Sequence, residues 1–131
     1  MNKQRMLEDV WMRLKEQDAP GFDEYAKSCQ YITSDGRRCA VGVLLPMDYL
    51  YEHINDFADG VCELFDDHPY ARKLIEKEYG PIEMDFMQEL QYAHDQAATD
   101  EARYAESFLD RFRRQLKRLE TKHDINTEKL I

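Results

Sequence analysis

Cys39 and His94 have the residue types best suited to covalent chemistry. A thiol attacks as its thiolate when an imidazole removes its proton and a third group orients that base. Asp95 follows His94, but neighbours on a helix point about 100° apart, so the spacing predicts that Asp95 does not orient the ring. Nothing in the sequence sets His94 beside Cys39, and a thiol in an apolar run reads as a small core residue. Cys29, Cys39, His53, Cys62 and His68 include zinc-type ligands. Their spacing lacks the close pairs, about two to four residues apart, of structural zinc sites, so no metal is expected. No cofactor is expected either, because phosphate-loop, dinucleotide, HExxH and GxSxG patterns are missing.

Charge offers non-covalent alternatives. Asp35-Gly36-Arg37-Arg38 could hold an anion, since a glycine turn exposes backbone N–H groups beside two guanidiniums; the plainer reading is a good turn with solvated arginines. Arg111, Arg114, Arg118 and Lys122 form a polar stripe able to lie along phosphates. Such a stripe is also what an ordinary surface helix displays. The net charge of −9 is unevenly spread: residues 1–47 are neutral, residues 48–106 carry sixteen acidic and four basic side chains, and residues 107–131 carry seven basic and four acidic. The middle segment repels nucleic acid and suits a basic protein surface. Its candidate contacts are Asp56, Asp59, Glu63, Asp66, Asp67, Glu76, Glu83 and Asp85.

The elements that must position these groups are mostly helices. Leu7, Val10, Trp11 and Leu14 fall at helical spacing and predict a helix over 1–17, stopped by Asp18-Ala-Pro-Gly21. Residues 29–45 predict an antiparallel hairpin with Asp35-Gly36 as a two-residue loop. Ile32 then faces Cys39 and Ser34 faces Arg37, which puts Cys29 and Cys39 on opposite faces and forbids a disulfide between them. Residues 46–98 form an acidic helical part. Short helices are expected at 46–51 and 61–65, another begins at Pro69 and ends near Tyr79 with Gly80 as its cap, and a further one starts at Pro81. A long helix over 100–122 is expected after the Thr99-Asp100 cap signal, with Ala105, Leu109, Phe112, Leu116 and Leu119 as a short heptad run. Two heptads are too few for a free coiled coil, so this run should pack within its own domain while leaving room for a homodimer.

With 131 residues, the chain fits one domain. An apolar share of 43% with eight tyrosines and six phenylalanines argues against disorder. No apolar run reaches the ~20 residues of a membrane helix. The N-terminus turns acidic where a signal peptide would be apolar, and three cysteines form no disulfide framework. These features predict a cytoplasmic protein.

Two blocks together, Cys29-x-Tyr31…Asp35-Gly36-x-x-Cys39-Ala40-Val41-Gly42-x-Leu44-x-Pro46 and Leu90-Gln91-x-x-His94-Asp95, resemble a set of small proteins encoded on phages, prophages and plasmids. The resemblance spans roughly residues 25–98 and implies a mobile-element context in a bacterial host, with no assigned activity. Those relatives often carry histidine after the block's glycine, where this chain has Val43. The expectation is therefore an α+β, mainly α domain, with about five helices packed on one hairpin. It is a non-enzymatic protein that binds and modulates a host protein with a basic groove. The concrete version inhibits a defence or nucleic-acid-processing factor.

Overall fold

Helical periodicity builds the first element. In the computed structural model, which describes residues 1–55, 57, 59–100 and 105–131, α1 spans Lys3–Gln17 and buries Met6, Leu7, Val10, Trp11 and Leu14. The Asn2 side chain accepts the N–H of Arg5, and Asp18 ends the helix in the left-handed conformation with its N–H on Leu14. One terminal donor and one terminal acceptor are thus satisfied at the helix ends.

The antiparallel hairpin lies earlier than 29–45. Its strands are β1 (Phe22–Asp23) and β2 (Ser28–Cys29), with Phe22 opposite Cys29. Over the expected span only Ile32 and Arg38 form an isolated bridge. The Asp35-Gly36 turn does form, as a three-residue loop rather than a two-residue one. The N–H of Thr33 donates to Arg37 O, the N–H of Gly36 donates to Thr33 O, and Gly36 takes φ 88°. A glycine at that left-handed position is what such a loop requires. Beyond it, Cys39–Leu45 is buried without alternation. Full burial alone suits a strand in the middle of a sheet as well as a packed turn, and here Gly42–Leu44 curls into a 3-10 turn. Gly42 permits this: a Cβ there would lie 2.1 Å from Tyr31 O.

The remaining helices are α2 (Met47–His53), α3 (Val61–Asp67), α4 (Pro69–Tyr79), α5 (Met84–Thr99), α6 (Phe108–Lys117) and α7 (Glu120–His123). Pro69 opens α4 and Gly80 closes it, as expected. The class is α+β and mainly α, with seven helices among the described residues rather than about five. The final helix is shorter than 100–122. Ser107 caps α6 by accepting the N–H of Asp110, and Arg118-Leu119 separates α6 from α7; residues 101–104 lie outside the described set. Ala105 is exposed, while Phe108, Phe112 and Leu116 turn inward.

Side chains from α1 to α6 join one apolar cluster. Its densest aromatic part lies where α5 meets α6 and α1. Phe112 stacks between Trp11 (centroids 6.0 Å) and Phe108 (5.6 Å), and the edge of the His94 ring meets both phenylalanines. Among the described residues, no helix is long and apolar enough to cross a membrane.

Candidate functional site

Two places gather polar chemistry: a buried cluster beneath the turn, and the exposed side chains of α2, α3 and the start of α4. The cluster begins with α5, whose inward face carries His94 at 0% exposure. Its Nε2 accepts the N–H of Gly21 at 3.0 Å, and its Nδ1 lies 2.9 Å from Asp95 Oδ1. A neutral imidazole has one donor and one acceptor. With Nε2 accepting, the proton sits on Nδ1 and is donated to Asp95. Asp95 therefore does orient the imidazole, contrary to the expectation from helix geometry. The 100° separation applies to the Cα–Cβ bonds, whereas Nδ1 and Oδ1, farther out, converge.

Gln91 extends this network. Its Nε2 donates to Asp95 Oδ1 at 2.8 Å, and its Oε1 accepts the N–H of Val41 at 3.0 Å. Cys29, half-buried, lies within 4.8 Å of the Asp95 carboxylate. The two sequence blocks therefore meet, with α5 side chains holding the turn that follows Cys39. Cys29 and Cys39 both line one cavity of about 120 Å³ with Gln91 and Asp95; they are not on opposite sides, because the paired strands that would have separated them do not form. Both thiols are free.

Cys29, His94 and Asp95 offer ligand atoms within 4.8 Å of one another. Yet neither imidazole nitrogen has a lone pair to give. Ligation through Nδ1 would move the proton to Nε2, against the Gly21 N–H. Two remaining ligands fall short of the three or four of protein zinc sites, so His94 and Asp95 act as a hydrogen-bonded brace.

Nor is a thiol activated here. Burial and the Asp95 charge push Cys39 up to about 12, and the same causes raise Cys29. Reactive cysteines need the opposite environment. Cys39 Sγ faces the Gly42 N–H at 3.4 Å, and no hydrogen bond joins it to His94 among the described residues. Iodoacetamide near neutral pH is expected to leave Cys39 unmodified in the native protein and to label it after denaturation. Rapid native labelling at Cys39 would restore the thiol-enzyme reading.

The other candidates are placed as follows. Arg37 is engaged by Asp35, and Arg38 donates through Nη1 to Leu45 O at 2.9 Å while its Nε is buried without a hydrogen-bond partner among the described residues. Arg111 does not belong to a surface stripe: it is buried, with Nε donating to Ala97 O at 2.7 Å and Nη1 to Glu106 O. Its position one residue before Phe112 turns it into the α5–α6 seam. Arg114 pairs with Glu106 at 2.6 Å, Lys122 pairs with Glu89, and Arg118 donates to Gln115.

Among the acidic candidates, Asp59, Glu63, Asp66 and Asp67 are exposed on or next to α3 and have no cation partner among the described residues. Asp48 and Glu52 are exposed on α2, with His53 near Glu52 at 3.8 Å. No lysine or arginine occurs between Arg38 and Arg72. Glu76, Glu83 and Asp85 lie elsewhere. Glu76 accepts the Ile82 N–H at 2.8 Å and pairs with Arg72, Glu83 pairs with Lys3 at 3.3 Å, and Asp85 is exposed on α5. Asp56 lies outside the described residues.

Aromatic side chains accompany the exposed carboxylates. Tyr49 meets Tyr70 at 5.5 Å, in a groove that also includes Asp48, Glu52 and His53. Tyr51 and Tyr70 are largely exposed. Sequence reasoning selected the acids but passed over these tyrosines, although they lie in the same cation-free stretch. It also gave Gln91 no role beyond its place in the second block, although a spacing of four from Asp95 is a recognised helical pairing distance. No protein-family model, curated protein or solved structure matches this chain.

Proposed function

We propose that this chain is a binding protein whose α2–α3 face engages a basic surface on a protein partner. The observation that carries the reading is the set Asp48, Glu52, Asp59, Glu63, Asp66 and Asp67, all exposed in a stretch without lysine or arginine, with Tyr49 and Tyr70 beside Asp48 and Glu52. Aromatic residues supply contact area in the centre of interfaces, and a charged rim steers encounter and rejects partners of like sign. The C-terminal basic residues support the nucleic-acid alternative less well, because Arg111, Arg114 and Lys122 already satisfy groups of the same chain. The mobile-element resemblance favours a bacterial host protein as target, with inhibition of a defence or nucleic-acid-processing factor as the outcome.

Affinity capture from a bacterial host, followed by binding measurements on the captured partner, tests this. Combined Asp59→Asn, Glu63→Gln, Asp66→Asn and Asp67→Asn substitution is expected to weaken binding by about fourfold or more, given roughly 0.2–1 kcal/mol per exposed charge pair. Thermal unfolding should change little. A partner retained with unchanged affinity and unchanged salt dependence would refute the acidic-face reading.

A further inference from the structure

A cavity of about 460 Å³ opens between the loop after β2 and the C-terminal end of α2. It is lined by Asp23, Gln30, Ile32, Thr33, Ser34, Tyr51, Asn55 and Phe57. No lysine, arginine or histidine is among these residues, and among the described residues the one formal charge lining the cavity is the carboxylate of Asp23. That carboxylate is held in place: Oδ1 accepts the N–H groups of Tyr25 and Ala26, both at 2.9 Å. Oδ2 has no partner among the described residues. The side chains of Gln30 and Asn55 also have no hydrogen-bond partner there. Two aromatic rings, Tyr51 and Phe57, complete the wall.

We infer that this cavity receives the guanidinium of an arginine on the partner, an inference that rests on the acidic-face reading and names the side chain that the face anchors. A guanidinium is planar, carries five N–H donors and no acceptor, and stacks on aromatic faces. The cavity offers one anionic oxygen, two amide oxygens and two rings, which match those needs. A lysine ammonium would use the charge but not the planar stacking. The Phe57 ring also meets Tyr31 at 6.0 Å and His68 at 5.3 Å. Tyr31 in turn donates to Asp59 O at 2.9 Å, and His68 follows Asp67. Through Phe57 the cavity wall is thus joined to the segments that carry Asp59 and Asp67, which would meet further cations of the partner.

The probe is acetyl-Gly-Arg-Gly-amide, compared with the lysine and citrulline peptides and followed by NMR shifts of the Gln30 and Asn55 side-chain amides. The arginine peptide should shift both signals saturably, the lysine peptide should bind several-fold more weakly, and citrulline, neutral and nearly isosteric, should bind least. Asp23→Asn keeps an oxygen for the Tyr25 and Ala26 N–H groups while removing the charge; it should weaken the arginine peptide about fivefold to tenfold, as expected for losing a charge-assisted hydrogen bond. Tyr51→Leu should weaken it as well. Equal binding of arginine and citrulline, or no shift at Gln30 and Asn55, would overturn the inference. Should the partner still depend on Asp59, Glu63, Asp66 and Asp67 in that case, only the arginine pocket is lost. Should that dependence vanish while the peptide shifts remain, the wider reading is what fails.

Discussion

Gly21→Ala is expected to destabilise the protein by about 3 kcal/mol or more, at the upper end of what overpacking costs. A Cβ at residue 21 would lie 2.3 Å from Cys39 N, 2.5 Å from Arg38 C and 2.8 Å from Cys39 Cα. All three are backbone atoms, so no rotamer change relieves the clash. Separating residue 21 from the Arg38–Cys39 backbone would also pull its N–H off His94 Nε2, leaving a buried acceptor unpaired. The effects of Gly21→Ala and His94→Gln should therefore fall short of additive, since both break one contact. Urea unfolding of the two single variants and the double variant provides the measurement. A Gly21→Ala loss under about 1 kcal/mol would mean that the two loops are not held this closely.

Phe112→Ala is expected to cost about 3–5 kcal/mol, the usual range for removing a fully buried phenylalanine. Phe112 is 0% exposed and touches Trp11, Phe108 and His94 from three elements. Its removal thus empties the junction of α1, α5 and α6 rather than one helix–helix contact. Trp11 fluorescence should report the loss along with the urea midpoint. A loss below about 1.5 kcal/mol would show that the surrounding rings collapse into the space.

Helices with a strong apolar stripe and clear punctuation were legible in the sequence. α1 and α4 match their expected spans because the apolar spacing, Pro69 and Gly80 all act locally. The segment after Cys29 was not legible in the same way. Its β-type composition came from burial on all sides, and the close approach of Gly42 to Tyr31 depends on tertiary packing. Thr99-Asp100 looked like a helix start but ends α5, whereas Ser107 performs the capping. Among candidate site residues, the exposed carboxylates could be picked out from charge alone. The Gly21–His94–Asp95–Gln91–Val41 network could not, because it joins backbone and side chains separated by as many as 73 positions.

The contacts of α1 have a consequence for the order of events during synthesis. Arg13 donates to Val43 O and Tyr79 donates to Asp9, so part of this helix meets its partners early. Trp11 must wait for Phe112, and Gln4 for Asn126, with which it exchanges two hydrogen bonds. At translation speeds of about 5–20 residues per second, the interval from the end of α1 to Asn126 is roughly 5–20 s. During that time Trp11 lacks its Phe112 stacking partner, which leaves this part of the apolar face of α1 open to a chaperone at the ribosome exit.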